Sequence, residues 1–346
     1  MEISEKSTNT EHEKVFIGRD AASGYHGIIA IHNTVRGPAV GGTRVWNYAN
    51  EDDALTDVLR LSRGMTYKNA LAELPLGGGK AVIIGDSKTL DRDAVFTAHG
   101  RFIEALGGKF LTAEDVGTSP SDMEIVRRET AHVAGLVSGA GDPSPYTARG
   151  VFRAIQAAAK FVWNREELAG VTVALQGCGN VGYNLAKHLH AAGTKLIVSD
   201  VDSQKTARLV EEFNAIVVKT EEITTVRAEV FAPCALGGVL NNQTIPPLSA
   251  QIVAGAANNQ LLEDRHSEML KERGIVYVPD YAANSGGIFS GCIELLGWKP
   301  EHVSQKVDEI YKTVLNILER ARAEDISTSK AADRIAESHL AIDHTD

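Results

Sequence analysis

Residues 171–182, VTVALQGCGNVG, set the reading of this chain. An apolar run of strand character ends at Gln176. Gly177, Gly179 and Gly182 follow at GxGxxG spacing, directly before a helical pattern carried by Leu185 and Leu189. In a strand, turn and helix setting the first glycine permits the tight turn, the second lets backbone approach a pyrophosphate, and the third lets helix pack on strand. The helix N-terminus then faces the negative charge. The next strand, KLIVSD, ends in Asp200. An acid about 20 residues beyond the glycines accepts hydrogen bonds from an adenosine ribose and repels a 2′-phosphate, so the expected cofactor is NAD rather than NADP.

Working outward toward the C-terminus, strand-like AIVVK (215–219), VFAPCA (230–235), QIVAGA (251–256) and IVYVPD (275–280) alternate with helical patterns. That alternation predicts an α/β fold with a parallel sheet covered by helices. From about Ser285 the chain reads as three helices. In the other direction, residues 136–148 are rich in Gly, Ser and Pro without helical periodicity, which marks a domain boundary or hinge. A chain of 346 residues has room for about two domains at roughly 100–200 residues each.

Before the boundary, VFIGRD and HGIIAIHN flank AASGY as a hairpin opening an antiparallel or mixed sheet. Asn50 suits a helix N-cap, Glu51, Asp52 and Asp53 suit the positive end of the dipole, and Leu55, Val58, Leu59 and Met65 recur near helical spacing. Lys68 lies near the end of that helix. PLGGGKAVIIGD reads as a glycine turn feeding a short buried strand with Lys80 at its start. A second helix runs through Phe96, Phe102, Ile103 and Leu106, and KFLTAEDVG reads as a strand leading to a helix near SPSDMEIV.

Charge and composition narrow the partners. Thirty-five basic residues stand against 45 acidic ones, a formal charge of −10, and no dense basic cluster exists to neutralise a row of phosphates. Nucleic acid is not an expected partner. No apolar run approaches the ~18 residues of a membrane span, and the first fourteen residues, MEISEKSTNTEHEK, lack the basic-then-apolar pattern of a signal peptide. A cytoplasmic protein is expected, with a polar N-terminal dozen that lacks fixed structure. Cys178, Cys234 and Cys292 are odd in number and far apart, which fits neither a disulfide framework nor a paired-cysteine zinc site. His26, His32 and His99 show no ligand spacing, so no metal is expected.

Two lysines and an acid carry the chemistry. A lysine set between three glycines and AVII is drawn into low-dielectric surroundings where a neutral amine is available as a base. Asp115, at the end of a strand, needs a cationic partner if buried. Such a set suits holding a carboxylate while removing a proton from a neighbouring amine or hydroxyl.

These residues sit in motifs that resemble the leucine, valine and phenylalanine dehydrogenases, relatives of glutamate dehydrogenase, over nearly the whole chain. GPAVGGTR, LRLSRGMTYKNA, LPLGGGKAVIIGD, TAEDVGT, DPSPYTARGV, QGCGNVG, FAPCALGG, AGAANNQL and PDYAANSGG occur in the family's order. The resemblance implies an N-terminal substrate domain with a mixed sheet (1–135), which also carries oligomerisation, and a Rossmann-like NAD domain (136–325). It implies a cleft between them and a C-terminal helix (326–346) returning to the first domain. It further implies a homo-oligomer, dimer or higher, that oxidatively deaminates an L-amino acid to the 2-oxo acid and ammonia. On matching positions Lys68 holds the substrate α-carboxylate with backbone near Gly41 and Gly42, Lys80 activates the attacking water, and Asp115 assists proton transfer at the amine. Asn180 and Val181 of the glycine motif, Thr147, Ala235, Asn258 and Asn284 fall among the cofactor contacts, and Asn259 among the substrate contacts.

The same resemblance places the side-chain pocket at Val40, Met65, Ala113, Ile288 and Gly291. Glutamate dehydrogenases carry a lysine where this chain has Val40, so glutamate is disfavoured, and an apolar pocket selects by volume. Ala113 in TAEDV favours branched aliphatic substrates. Gly291, where the family usually has Val or Leu, favours an aromatic one such as phenylalanine or tryptophan. A non-catalytic NAD-binding sensor would lack one of Lys68, Lys80 or Asp115, and a hydroxy-acid dehydrogenase would want a catalytic histidine with an acidic partner. The residues favour an amino-acid dehydrogenase.

Overall fold

A computed structural model describes residues 1–342 apart from 9, 138 and 140. The chain forms two compact units. The first comprises Met1–Gly141, Ile293–Trp298 and the chain from Ala336 on; the second comprises Asp142–Cys292 and Lys299–Ile335.

In the first unit the strands are β1 (Glu2–Glu5), β2 (Lys14–Asp20), β3 (Tyr25–Asn33), β4 (Ala39–Val40), β5 (Thr43–Trp46), β6 (Gly77–Ile84) and β7 (Phe110–Leu111). Its helices are α1 (Glu51–Leu71), α2 (Arg92–Ala105) and α3 (Pro120–Arg127). They form one mixed sheet in the order β1-β2-β3-β6-β4-β7, with β5 also on β6. The first pairings are antiparallel, and β4, β5 and β7 join in parallel. The expected hairpin is β2 and β3, in register from Lys14 opposite Ile31 to Asp20 opposite Tyr25. The N-terminal stretch departs from expectation, because Glu2–Glu5 pairs with β2 and becomes the sheet edge. Exposed polar residues suffice there, since an edge strand with two solvent-facing sides has no apolar pattern to show.

β3 and β6 are buried on both faces. Ile29, Ile31, Ala81 and Ile83 pack with Phe96, Phe102, Phe110, Met123 and Val126, while Ile28, Ala30 and Val82 pack with Ala54 and Val58 of α1. Asn50 accepts from the Asp53 amide and caps α1, as its position before three acids predicts. The run Gly77–Gly79 is a second correction: it lies inside β6 rather than forming a turn before it. A Cβ on Gly78 would come 2.1 Å from the Thr66 amide nitrogen of α1, and one on Gly77 2.2 Å from the Asn33 carbonyl oxygen. These glycines exist because α1 and β3 approach the strand so closely.

The second unit has α4 (Ser144–Trp163), β8 (Thr172–Gln176), α5 (Asn180–Ala191), β9 (Lys195–Ser199), α6 (Ser203–Phe213), β10 (Ile216–Val217), β11 (Val230–Pro233) and β12 (Ile252–Val253). It continues with α7 (Arg265–Glu272), β13 (Val276–Tyr277), α8 (Asp280–Ala283), α9 (Gly286–Leu296), α10 (Pro300–Ala323) and α11 (Thr328–Ile342), of which α9 and α11 end in the first unit. Its six strands are all parallel in the order β10-β9-β8-β11-β12-β13. That is the doubly wound order of a dinucleotide-binding sheet, reversing between β8 and β11. The segment after Asp142, which reads as a linker, is the start of α4. Pro143 is its N-cap and Pro145 stands in its first turn, where a missing amide costs no hydrogen bond.

The parts of the first unit that lie late in sequence are tied in by hydrogen bonds. Glu294 accepts from the Gly135 amide at 3.0 Å, the Tyr67 hydroxyl donates to Glu337 at 3.0 Å, and His339 Nδ1 lies 2.9 Å from the Ala70 carbonyl oxygen.

Three histidines of this unit give an acid sensitivity. His99 is fully buried, with Nδ1 2.8 Å from the Tyr25 hydroxyl and Nε2 2.7 Å from Thr43 Oγ1, and burial pulls its pKa down to about 3. Burial brings His32 down to about 4, and lowers His12, whose ring stands 4.7 Å from that of His32. The unfolded chain therefore binds protons below about pH 6.5 that the folded chain refuses, so this stability is complete above 6.5 and lost as pH falls toward the folded values. At pH 4.5 His99 alone accounts for roughly 2–3 kcal/mol. Thermal melts should show a falling Tm between pH 6.5 and 4.5, flattened in His99→Gln; an equal slope in the variant would refute the assignment.

Candidate active site

Sheet register explains how residues far apart in the first unit come to share one face. Paired residues of neighbouring strands, and alternate residues along one strand, point the same way. Gly78 faces α1, Val40 pairs with both Gly78 and Leu111, and Lys80 lies two residues on, so Val40 and Lys80 also face α1. Thr112 turns to the opposite side, its hydroxyl 2.7 Å from that of Thr43, which leaves Ala113 on the α1 face. Met65 and Lys68, both half-buried, flank Thr66 on α1.

Between β4 and β5, Gly41 and Gly42 run too close to their neighbours for any side chain. A Cβ on Gly41 would meet the Gly79 carbonyl oxygen at 1.8 Å, and one on Gly42 the Glu114 carbonyl oxygen at 2.5 Å. This close passage brings the 112–118 segment beside β6. Lys80, 6% exposed, places Nζ 3.1 Å from Asp115 Oδ2. The Asp115 amide donates to Thr118 Oγ1 at 2.8 Å, which in turn donates to the Thr43 carbonyl oxygen, fixing the turn that carries the carboxylate. Burial alone would raise the Asp115 pKa, but the Lys80 ammonium and then the Arg44 guanidinium outweigh it and hold the carboxyl below the ordinary carboxylate range. The pair thus offers an ammonium and a carboxylate in a largely dry setting, where one proton can be passed between fixed groups.

Sequence reading missed Arg44 and Asp57. Arg44 stands in GGTR, and its Nε donates to Asp115 Oδ2 at 3.0 Å while Nη1 donates to Asp57 Oδ2 at 2.9 Å. The signal was an arginine two residues past the glycine pair and an aspartate on the α1 face; only the strand pairing reveals that they meet.

In the second unit the three glycines divide their work as the motif requires. Gly177 has φ +93° and its amide donates to the Ser199 carbonyl oxygen at 2.8 Å; Ala235 abuts it, with the amide nitrogen 2.8 Å from where a Cβ would lie. A Cβ on Gly179 would meet nothing within 4 Å, so this backbone is open to a ligand at the N-terminus of α5, where Asn180 and Val181 begin the helix. Gly182 packs on the turn, its would-be Cβ 2.0 Å from the Gly177 carbonyl oxygen. Asp200 Oδ2 accepts from the Cys178 amide at 2.6 Å and Oδ1 from the Asp202 amide at 2.8 Å, leaving lone pairs on both oxygens for a diol. These residues fit an NAD pyrophosphate and ribose. Burial raises the Cys178 thiol to about 12, which removes it as a reactive thiolate.

Other candidates of this unit fall into separate places. The Asn284 side-chain amide donates to Asn258 Oδ1 at 2.8 Å and to the Ala256 carbonyl oxygen at 3.1 Å, so these two asparagines form one group. Asn259 instead uses its amide on Asp280 Oδ2 at 2.5 Å and adopts φ +52°. The Thr147 hydroxyl donates to the Pro143 carbonyl oxygen at 3.1 Å, and a Cβ on Gly287 would lie 2.8 Å from its Oγ1. On α9 Ile288 is half-buried, and a Cβ on Gly291 would meet nothing within 4 Å. Among the described residues no helix is long and apolar enough to cross a membrane.

Residues 12–132 match the family model described as Glu/Leu/Phe/Val dehydrogenase, dimerisation domain, and residues 139–205 and 199–344 match Glutamate/Leucine/Phenylalanine/Valine dehydrogenase. A leucine dehydrogenase of Geobacillus stearothermophilus is 48% identical over 343 residues, covering 98% of this chain and 94% of that protein. A valine dehydrogenase of Streptomyces albus is 44% identical over 336 residues, covering 95% and 92%. The crystal structure of L-tryptophan dehydrogenase from Nostoc punctiforme superposes with a TM-score of 0.87 at 45% identity, covering 97% of this chain and 98% of that one.

Proposed function

We propose, proceeding from the fact that this chain belongs to the Glu/Leu/Phe/Val dehydrogenase family, that its preferred substrate is a branched aliphatic L-amino acid. The chain is an NAD-dependent L-amino-acid dehydrogenase, an oxidoreductase acting on CH–NH2. The observation that carries the substrate reading is the aliphatic side chain of Val40, 4% exposed and on the same face of the first unit as Lys80 and Ala113. Lys80 is paired with Asp115 and Lys68 is given to the α-carboxylate in this reading, so a side-chain carboxylate placed against Val40 would lose its water without gaining a cation of its own.

In this reading Lys68 holds the substrate α-carboxylate with help from backbone at Gly41 and Gly42. Asp115 takes a proton from the substrate ammonium so that the nitrogen lone pair can support loss of the α-hydrogen as hydride. NAD supplies the hydride acceptor. Lys80, after passing its own proton to solvent, then removes a proton from the water that adds to the iminium carbon, and returns one as ammonia leaves. Asp200 binds the adenosine ribose, and Thr147, Ala235, Asn258 and Asn284 fix the nicotinamide end. Met65, Ala113, Ile288 and Gly291 line the side-chain pocket, and Asn259 orients the substrate. The chain works as a homo-oligomer assembled through its first unit.

The open space at Gly291 supports a second reading, a pocket deep enough for an aromatic ring. NADH formation with valine, leucine, isoleucine, phenylalanine, tryptophan and glutamate decides between them. Branched substrates should lead, and glutamate should fall at least about 100-fold behind, the scale of leaving a charge unpaired. Gly291→Leu should cut kcat/KM for phenylalanine and tryptophan by about tenfold or more, while changing valine little. Wild-type preference for the aromatic pair would overturn the aliphatic reading.

A further inference from the structure

Arg44 reaches two carboxylates at once. Its Nε binds the same Asp115 oxygen, Oδ2, that accepts from Lys80, and its Nη1 binds Asp57 Oδ2, which also accepts from the Tyr48 hydroxyl at 2.7 Å. Arg60 lies 3.5 Å from the other Asp57 oxygen. The guanidinium and the Asp57 carboxylate are each 18% exposed, so the bridge sits away from bulk screening. A planar fork can join two anions from two of its edges in fixed geometry, which an ammonium cannot do.

We propose that Arg44 is a positioning residue for the oxidation: held by Asp57, it fixes Asp115 through Oδ2 and so sets how the carboxylate is presented to the amine proton. The inference rests on the role given to Asp115 above. Asp57 matters because it shares the charge of Arg44, so Asp115 faces less than a full second cation. Too strong a cation would leave the carboxylate a poor proton acceptor, and none would leave it unoriented. The charged and titratable groups around Asp115 are Lys80 of β6 and Arg44 of β5, then Asp57 and Arg60 of α1 on the far side of Arg44, with Tyr48 behind Asp57.

Removing either end of the bridge therefore has opposite effects on Asp115. In Arg44→Gln its protonation midpoint should move up, and in Asp57→Asn it should move down, as Arg44 is left wholly to Asp115. Carbon-13 carboxylate NMR of the full chain, with the Asp115 signal assigned by its loss in Asp115→Asn, reads this without any turnover. The acid limb of kcat/KM against pH should follow the same two directions. Arg44→Lys, which keeps the charge and protects the fold, should lower kcat roughly tenfold or more with little change in KM for the amino acid, because orientation and not binding is lost. Midpoints that stay put, or that move the same way in both variants, overturn the proposal. Midpoints that split as expected while the acid limb stays fixed leave the clamp standing and overturn the proton-transfer role of Asp115 itself.

Discussion

Lys80→Ala should lower kcat for amino-acid oxidation by about 10²- to 10⁴-fold, the range a positioned acid–base group supplies, while the protein still folds and binds NAD. The fold should survive because the change removes a cation without stranding its partner: Asp115 keeps Arg44 at 3.0 Å and its own turn bonds to Thr118. The lost packing inside β6 is worth about 1–3 kcal/mol, well within what a two-unit chain tolerates. No other residue of β6 can substitute, since the rest of the strand is glycine and aliphatic. NADH formation under saturating substrate, with circular dichroism and NAD titration as folding controls, makes the measurement. Turnover within threefold of wild type would remove Lys80 from the mechanism.

Gly78→Ala should be among the most damaging single methyl groups in the first unit. The new Cβ would stand 2.1 Å from both the amide nitrogen and the hydroxyl oxygen of Thr66, and backbone in the buried face of a helix packed on the sheet has nowhere to go. Overpacking against flexible side chains costs typically 1–3 kcal/mol, and a rigid helix backbone should bring this to about 3–5. At about 2–4 °C per kcal/mol for a chain of this class, Tm should fall by roughly 10 °C or more, and activity with it as Met65 and Lys68 are levered away from the sheet. Gly64→Ala on the same helix is the control. A Cβ there meets nothing within 4 Å, so the substitution should stabilise by about 0.5–1 kcal/mol. Equal melting of the two variants would show that α1 is free to slide on β6.

These two substitutions also mark where sequence alone stops informing. The strand, glycine turn and helix around Gly177 could be read directly because each glycine answers a local demand, a turn, an open backbone or a close approach within a dozen residues. Lys80 and Asp115 could be singled out because charged residues in apolar surroundings are costly unless paired. Gly77–Gly79 resisted the same reading. Local preference favours a turn there, and only the passage of α1 and β3, whose own sequences lie up to fifty residues earlier, makes a strand of glycines the better solution. Likewise α4 begins with the residues of a linker, and β1 with those of a free tail, because what holds them lies in other elements. Arg44 is the clearest case. Its two partners are 13 and 71 residues away, and nothing near it in the chain announces either.

The division of the first unit among three stretches of chain bears on how the protein comes into being. During synthesis its sheet emerges first, yet Glu294, Glu337 and His339, which tie Gly135, Tyr67 and Ala70, are made only after most of the second unit has left the ribosome. Domains usually mature in the order they are translated. Here that order is inverted: the unit begun first is completed last, and a nascent chain released just after Ile335 carries a complete second unit and a first unit that still lacks its C-terminal ties.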